Sequence, residues 1–494
     1  MRALYDHQTE AVRMLRQSLA SGHKRPMLQA PTGFGKTLTA AAIVQMALDK
    51  GKRVCFTVPA ISLIDQTYEE FRAEGINDIG VIQADHPWTD WMARVQVASV
   101  QTLSRRALPD TDLVLVDEAH QAFKIIFRWM ADKTKLPFVG LSATPWTKGL
   151  GKHYDDLIIA ATTSDLIERR FLAPFRAFAP SHPDLSGVRT VAGDFDEGQL
   201  AEAMDKPQLT ADIVSTWLKS GENRPTLCFA VNRAHARKLE DEFRAAGVST
   251  AYIDANTERD DRTKIGEAFA AGLAKVVVNV GVLTTGIDWD VRCIVLARPT
   301  KSEILYTQII GRGLRTAEGK SDCIILDHSD TTQTLGYVTD IKHEKLDAGR
   351  MATAAKADRK PQPIKVPKEC TSCHFLKPAG VHTCPECGFA PERREDIATA
   401  DGELFQVKGG KGKDDLQTKQ RFWSGLLWYC DQRGYSEGWA SHKFKERFGV
   451  WPRGLQGQAA QPDIHCRNYV RSSQIRYAKA KDKAQKSGGA PNAA

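Results

Sequence analysis

Ala30-Pro31-Thr32-Gly33-Phe34-Gly35-Lys36-Thr37 lies between a short apolar stretch, Met27–Gln29, and an Ala-rich helical segment, Leu38–Ala47. Small residues let successive backbone N–H groups turn inward around a phosphate chain, and the helix that follows presents its N-terminus to it. Lys36 is placed to reach β- and γ-phosphates, and the Thr37 hydroxyl to ligate Mg²⁺. Ala30 stands where the full phosphate-loop pattern has Gly, so the plain alternative is a Gly-rich turn before a helix. Asp112-Leu113-Val114-Leu115-Val116-Asp117-Glu118-Ala119-His120 decides between them. Its apolar strand delivers two carboxylates at the C-terminal end, where ligands of parallel sheets bind. Asp117 can hold Mg²⁺ through water, and Glu118 can orient and deprotonate an attacking water. Ser142-Ala143-Thr144-Pro145, after another strand, is a third element.

Outward from these motifs, Val54–Val58, Val95–Val100, Leu113–Val116 and Pro137–Ser142 read as buried strands with amphipathic segments between them. That βαβ rhythm predicts an α/β fold with a parallel sheet over residues 1–160. Residues 205–345 repeat it, with strands expected at Thr226–Ala230, Ala251–Asp254, Lys275–Val280, Cys293–Ala297 and Cys323–Asp327, and helices at Arg233–Ala246 and Arg259–Ala271. A connection, 161–204, joins the two units. A Pro-bearing linker, 346–368, leads to a Cys-rich segment at 369–390. An aromatic, basic helical module follows at 416–480, and a disordered tail is expected at 481–494.

Phosphate loop, DEAH box and SAT triplet, in this order, resemble superfamily-two helicases of phage, prophage and bacterial type. Gly281-Val282-Leu283-Thr284-Thr285-Gly286-Ile287-Asp288 resembles that family's fifth motif, and Gln308-Ile309-Ile310-Gly311-Arg312-Gly313-Leu314-Arg315 its sixth. The resemblance implies two tandem RecA-like domains that hydrolyse ATP with Mg²⁺. It makes Lys36, Asp117, Glu118 and the arginine fingers Arg312 and Arg315 catalytic. Gln8, with Tyr5 or Arg2 nearby, would read the adenine edge. Thr32, Gly33, Gly35, Lys36, Thr37, Gly286 and Asp288 would complete the ATP site, and Ser142, Thr144 and Gln308 would couple the cores. Pro59, Ser99, Gln101, Thr102 and Thr284 would touch a nucleic-acid backbone, although Ser, Thr and Pro at strand ends also serve as caps and turns. The implied function is an ATP-dependent DNA helicase or translocase in replication, recombination or repair, for which a monomer is sufficient. An RNA helicase, a duplex translocase that never separates strands, and an ATP-gated binding protein that recruits a replication or recombination partner remain alternatives.

Cys370-x2-Cys373-x10-Cys384-x2-Cys387 reads as a zinc ribbon, because two CxxC turns supply four thiolates to a module with little other core. The site is closed, hence structural. In the module, Trp423, Leu426, Leu427 and Cys430 fall on one helical face. Trp423 and Trp439 are expected in a core, and Trp428, Lys443, Lys445 and Arg453 as exposed contacts for nucleic acid. Charge points the same way: residues 351–494 carry 25 Lys and Arg against 15 Asp and Glu, while the first 350 carry 43 against 45. A local basic surplus favours a polyanion through counterion release, or is a solvated tail. The hydrophobic fraction of 42% in 494 residues suits a globular chain and excludes a disordered or collagen-like one. No run approaches the ~18 apolar residues that a membrane span needs. With no apolar h-region after Met1, a cytoplasmic location in a bacterial or phage-infected cell is expected, with thiols rather than disulfides.

Overall fold

Short Val-, Ile- and Leu-rich runs, buried on both faces, can be satisfied only inside a sheet covered by helices. The computed structural model describes residues 2–83, 86–283, 288–349, 366–391 and 416–474. The first core holds β1 (Pro26–Gln29), β2 (Val54–Val58), β3 (Ile79–Ile82), β4 (Val95–Ser99), β5 (Leu113–Val116), β6 (Phe138–Ser142) and β7 (Asp156–Ile159). Their order is β3-β4-β2-β5-β6-β1-β7, all parallel. The second core takes β8 (Phe175–Phe178), passes a small hairpin of β9 (Thr190–Val191) and β10 (Asp194–Phe195), and continues with β11 (Thr226–Ala230), β12 (Thr250–Ile253), β13 (Val276–Asn279), β14 (Cys293–Ala297) and β15 (Cys323–Asp327). Its six-stranded sheet runs β12-β13-β11-β14-β15-β8, also parallel. These are two tandem RecA-like cores. Their centres are dry: Val54, Val95, Leu115, Leu227, Ile294 and Ile325 have no exposed surface, and each such side chain contributes about 1.5–3 kcal/mol. Cys55, Cys228, Cys293 and Cys323 are buried in the strands as free thiols, and burial pushes each thiol pKa up.

The segment expected to be only a connection, 161–204, contributes structure to the second core. Its β8 pairs with β15, so the second sheet closes with a strand that precedes all its others in sequence. Asp194 also accepts from the Thr300 hydroxyl at 2.7 Å and the Lys301 amide at 2.7 Å, fixing the hairpin to the loop after β14. Thr162 and Asp165 form a reciprocal capping box that starts the helix Thr163–Glu168.

The Cys-rich segment packs on the exposed edge of β8. Strand β16 (Lys368–Glu369) pairs with β17 (Leu376–Lys377), and Phe375 bridges Phe178 with ring centroids 5.5 Å apart. The Ala179 amide donates to the His374 carbonyl at 2.9 Å, and Tyr337 donates its hydroxyl to the Leu376 carbonyl. Arg176 on β8 holds Asp322, Glu222 and, from the ribbon, Glu386 at 2.6–2.7 Å. His182 bridges Asp330 and Glu369 at 2.5 and 2.8 Å. Five ribbon contacts, with β8, the residues just after it and Tyr337, make it an extension of the second core.

The helical module forms a unit of its own. Helices Leu416–Arg433 and Glu437–Phe448 enclose Trp423, Leu426, Phe444, Cys466 and Val470. Gly434 and Gly449, at φ +68° and +74°, stop the two helices in the left-handed conformation that suits glycine. Trp423 is in this core, as expected, and Trp439 packs on it half-buried. Trp428, expected as an exposed contact, is also half-buried against the core, its ring edge-on to that of the buried Tyr429 at 5.3 Å. No helix among the described residues is long and apolar enough to cross a membrane.

Candidate nucleotide site and metal centre

The phosphate loop is built by backbone geometry. Gly33 and Gly35 adopt φ of +84° and +82°, and the helix Lys36–Leu48 starts directly behind them. A Cβ on Gly35 would sit 2.1 Å from Gln8 Nε2. Gln8 is wholly buried, donating to the carbonyls of Phe34 at 3.0 Å and Gly35 at 3.3 Å and accepting from the Tyr5 amide at 3.0 Å. The expected adenine reader is therefore also a brace that ties the first helix to the loop. Gly35→Ala is expected to displace that brace and strain the turn, at a cost of about 1–3 kcal/mol. Thermal melting of the variant, with nucleotide affinity beside it, checks this; an unshifted midpoint would contradict it. Arg2 is turned away, paired with Glu74. Tyr5 remains near, half-exposed, with its ring against Phe171 at 4.8 Å.

Strand β5 ends at Asp117 and Glu118, opposite the loop. The Lys36 ammonium lies 2.7 Å from Asp117 Oδ1 and 2.5 Å from Glu118 Oε1. Burial acts to lower the Lys36 pKa, but the two carboxylates reverse this and raise it. Burial acts to raise both carboxylates; it prevails at Asp117, while Lys36 and His120 hold Glu118 well below the usual carboxylate range. Glu118 therefore stays ionised. Its backbone sits at φ +46°, a strained setting for a non-glycine residue of the sort that clusters at functional sites. Thr37 is half-buried at the head of the helix. Two half-buried carboxylates facing a cationic side chain form a donor set that suits a hydrated Mg²⁺, with Thr37 as the hydroxyl.

The two cores meet at His120. Its Nδ1 is 3.2 Å from Glu118 Oε2 and 2.9 Å from Ser142 Oγ, and its Nε2 is 3.1 Å from Gln308 Nε2 of the second core. An amide nitrogen only donates, so imidazole Nε2 accepts and Nδ1 carries the proton. Ser142 Oγ also accepts from the Thr144 amide at 3.0 Å. Ser142 and Gln308 thus converge on one imidazole, with the Thr144 amide bracing Ser142. His120 was missing from the residues expected to work here, although its place two after Glu118 offered the signal. Arg312 is only 8% exposed on the helix Glu303–Leu314; burial and the neighbouring Arg315 lower its pKa to about 10, while Glu118 and Asp288 act to raise it. Arg315 pairs with Asp288 at 2.5 Å, so Asp288, expected beside ATP, carries an exposed carboxylate that steers a guanidinium instead. Thr284 and Gly286 lie outside the described residues.

Among the residues expected to touch nucleic acid, Pro59 is half-buried just past β2, Gln101 is exposed and Thr102 half-buried. Ser99 differs. Its hydroxyl is fully buried, accepts from the Thr102 amide at 3.1 Å and caps the short helix Val100–Leu103, which leaves the side chain unavailable to a ligand. In the second core a cleft of about 430 Å³ opens at the C-terminal ends of β11, β12 and β13, lined by Asn232, Arg233 and Asp254 among others. Those residues were not anticipated, although Val231-Asn232-Arg233 directly follows a strand. In the helical module Lys445 sits over the exposed Trp451 at 4.4 Å, Lys443 pairs with Glu446 at 2.7 Å, and Arg453 is exposed. Lys443 is thereby partly neutralised.

The four thiols of Cys370, Cys373, Cys384 and Cys387 lie within 4.8 Å of one another, with Cys370–Cys387 at 3.8 Å and Cys373–Cys384 at 3.7 Å. A tetrahedron with Zn–S bonds of about 2.3 Å has edges of about 3.8 Å, so the sulfurs are spaced for that ion. Gly388, at φ +72°, makes the turn after the second pair. His374 hydrogen-bonds Glu369 at 2.6 Å, away from a ligand role. Metal analysis is expected to give one zinc per chain. Chelation is expected to lower the melting temperature by roughly 2–4 °C for each kcal/mol of docking lost; melting indifferent to chelator would contradict a structural metal.

Comparison with known proteins agrees with this architecture. Residues 2–147 match the family described as type III restriction enzyme, res subunit, and residues 205–317 match the helicase conserved C-terminal domain. A 51.5 kDa protein of a Lactococcus phage (isolate 7-9) is 27% identical over 412 residues, covering 81% of this chain and 86% of its own. IRC3 of Saccharomyces cerevisiae, provisionally named an ATP-dependent helicase, is 28% identical over 357 residues, covering 66% of this chain; the chain spans only about half, 51%, of that relative. Among solved structures, a fragment described as an HsdR subunit of a type I restriction enzyme from Vibrio vulnificus YJ016 superposes with a TM-score of 0.53 at 19% identity, over 70% of this chain and 67% of its own, a likeness of fold. Two RecA-like cores, a phosphate loop facing a DEAH box, and both helicase domains matched in order make the chain similar to superfamily-two helicases of the phage and bacterial type.

Proposed function

We propose that the chain is an ATP-dependent DNA helicase or translocase whose hydrolytic site is completed only when its two cores meet. The observation that carries this reading is the His120 junction, where the acid expected to activate water touches a residue of the other core through one imidazole. In this reading Lys36 gives up its carboxylate partners to hold the β/γ-phosphates, and Thr37 and Asp117 hold Mg²⁺. The metal supplies charge neutralisation at the phosphates. Glu118, kept ionised by its surroundings, takes the proton of the attacking water, and Arg312 and Arg315 stabilise the developing charge from the second core. His120 reports to Gln308 whether Glu118 is engaged, so hydrolysis and core closure are linked. The strand then lies across the C-terminal ends of both sheets, over Pro59, Gln101 and Thr102 in the first core and over the Arg233 cleft in the second. The helical module, basic and aromatic, adds further backbone contacts through Lys445 and Arg453.

The test is strand separation of a fluorescent forked DNA duplex beside displacement of a third strand from a triplex, with Lys36→Ala as the blank. ATP-dependent release of either is expected. Fork opening marks a helicase, triplex displacement alone marks a duplex translocase, and release of neither overturns the motor.

A further inference from the structure

The helix Glu303–Leu314, which carries Arg312, ends without a left-handed turn: Arg315, just beyond it, is extended at φ −61° and ψ 138°. Gly313 is pressed against the sheet, where a Cβ would meet Cys323 Sγ at 2.5 Å and Ile294 Cγ1 at 2.9 Å. The last carbonyls of a helix have no intrahelical donors, and a left-handed turn commonly supplies them. Here the donors come from elsewhere. The Ala173 amide, on the segment arriving from the first core, donates to the Leu314 carbonyl at 2.7 Å. The Lys320 ammonium donates to the carbonyls on either side, Gly313 at 2.7 Å and Arg315 at 2.6 Å.

Lys320 makes a third bond, to the Val291 carbonyl at 2.6 Å. An ammonium has three donors and no acceptor, so all three are committed, each to the backbone. Val291 is wholly buried and follows closely on Asp288, whose carboxylate pairs with Arg315 at 2.5 Å. One half-buried side chain thus ties the backbone of Arg315 to the segment that bears its partner. Lys320 is fixed in turn by its own loop. Its amide donates to the Ala317 carbonyl at 3.1 Å. Arg292, paired with Asp290 at 2.7 Å, donates to the carbonyls of Glu318 at 2.7 Å and Gly319 at 3.2 Å.

We propose that Lys320 is a positioning residue for ATP hydrolysis, holding the backbone of Arg315 so that its guanidinium is presented to the nucleotide on the first core. This rests on the reading of Arg315 as an arginine finger. The Val291 bond is what separates the role from that of a plain helix cap, because it sets the distance between the two segments whose side chains, Asp288 and Arg315, face each other. The Asp288 side chain is 90% exposed, so packing does not fix the pair and its geometry follows its backbone. A displacement of about 1 Å at a reacting group can cost about 10²-fold in rate.

The test is kcat and KM for ATP in the full-length chain with single-stranded DNA, beside ADP affinity and melting temperature. Lys320→Met keeps the length and removes the donors; kcat should fall at least about tenfold, with KM and ADP affinity held within about threefold. Lys320→Arg keeps a cation at the helix end and carries the test if the methionine variant unfolds. Its planar fork cannot meet three convergent carbonyls, so kcat should still fall at least about threefold, with melting near that of wild type. Arg315→Ala is the second background. On it, either Lys320 substitution should change kcat by less than about twofold, because a residue that acts through another is not additive with it. A structural staple would cost the same factor in both backgrounds. Retention of kcat in every Lys320 variant that folds, or equal losses with and without Arg315, overturns the proposal and leaves the finger standing. An unchanged kcat in Arg315→Ala overturns the finger reading and the proposal with it.

Discussion

Glu118→Gln is expected to lower ATP turnover by about 10²–10⁴-fold while nucleotide affinity stays within a few-fold. Glutamine has the same length and can still accept from Lys36 through its amide oxygen, so the phosphate loop keeps its position. What it lacks is basicity. Glu118 is ionised because Lys36 and His120 favour the charged form over the pull of burial, and the carboxamide has no equivalent state. Phosphate release kinetics give kcat, and a fluorescent nucleotide gives Kd; turnover within about threefold of wild type would remove Glu118 from the chemistry. Lys36→Ala should also abolish turnover, but less cleanly. It leaves Asp117 and Glu118 side by side without their ammonium partner, and a buried charge stripped of its partner costs about 3–5 kcal/mol. Loss of activity there mixes chemistry with stability.

Arg312→Ala is expected to reduce kcat by about 10³–10⁵-fold with little change in ATP affinity, the range for arginine fingers. Arg312 is buried, with a pKa lowered to about 10, so it remains a cation at neutral pH in a place where water screens it poorly. That burial is what makes its charge effective at a developing phosphoryl anion. Arg312→Lys should recover less than about a tenth of the loss, because an ammonium cannot reproduce the planar fork of donors. The kcat and KM of the three proteins, measured at saturating nucleic acid, decide the matter. A variant that loses affinity and keeps kcat would make Arg312 a binding residue of the ground state.

Much of this architecture could be read from residue order, for physical reasons. Strands such as Val54–Val58, Leu113–Val116 and Cys293–Ala297 are apolar on both faces and bounded by turns, and the structure starts and ends them at the same residues. The four cysteines could be grouped because metal-ligand spacing is a local property. What escaped was non-local or short. Strands β3 and β7 carry weaker local signals, with Gly80 inside the first and Asp156 opening the second, and β8 completes a sheet whose other members begin about 50 residues later. Ser99 illustrates the ambiguity of a hydroxyl at a strand end, which serves equally as ligand contact or cap until its surroundings are known. Docking of the Cys-rich segment on β8 depends on Arg176, His182 and Tyr337, scattered through the second core. The gathering of Glu118, Ser142 and Gln308 on His120 is likewise a tertiary fact.

The central claim, that a nucleic-acid strand helps assemble a split ATPase site, is tested most directly by steady-state ATP hydrolysis. Rates would be compared with no polymer and with single-stranded DNA, duplex DNA, forked DNA and single-stranded RNA, with Lys36→Ala as the blank. The account predicts low basal turnover raised at least about tenfold by DNA and less by RNA. Greater stimulation by RNA would move the substrate and keep the motor; a rate indifferent to every polymer would contradict the account.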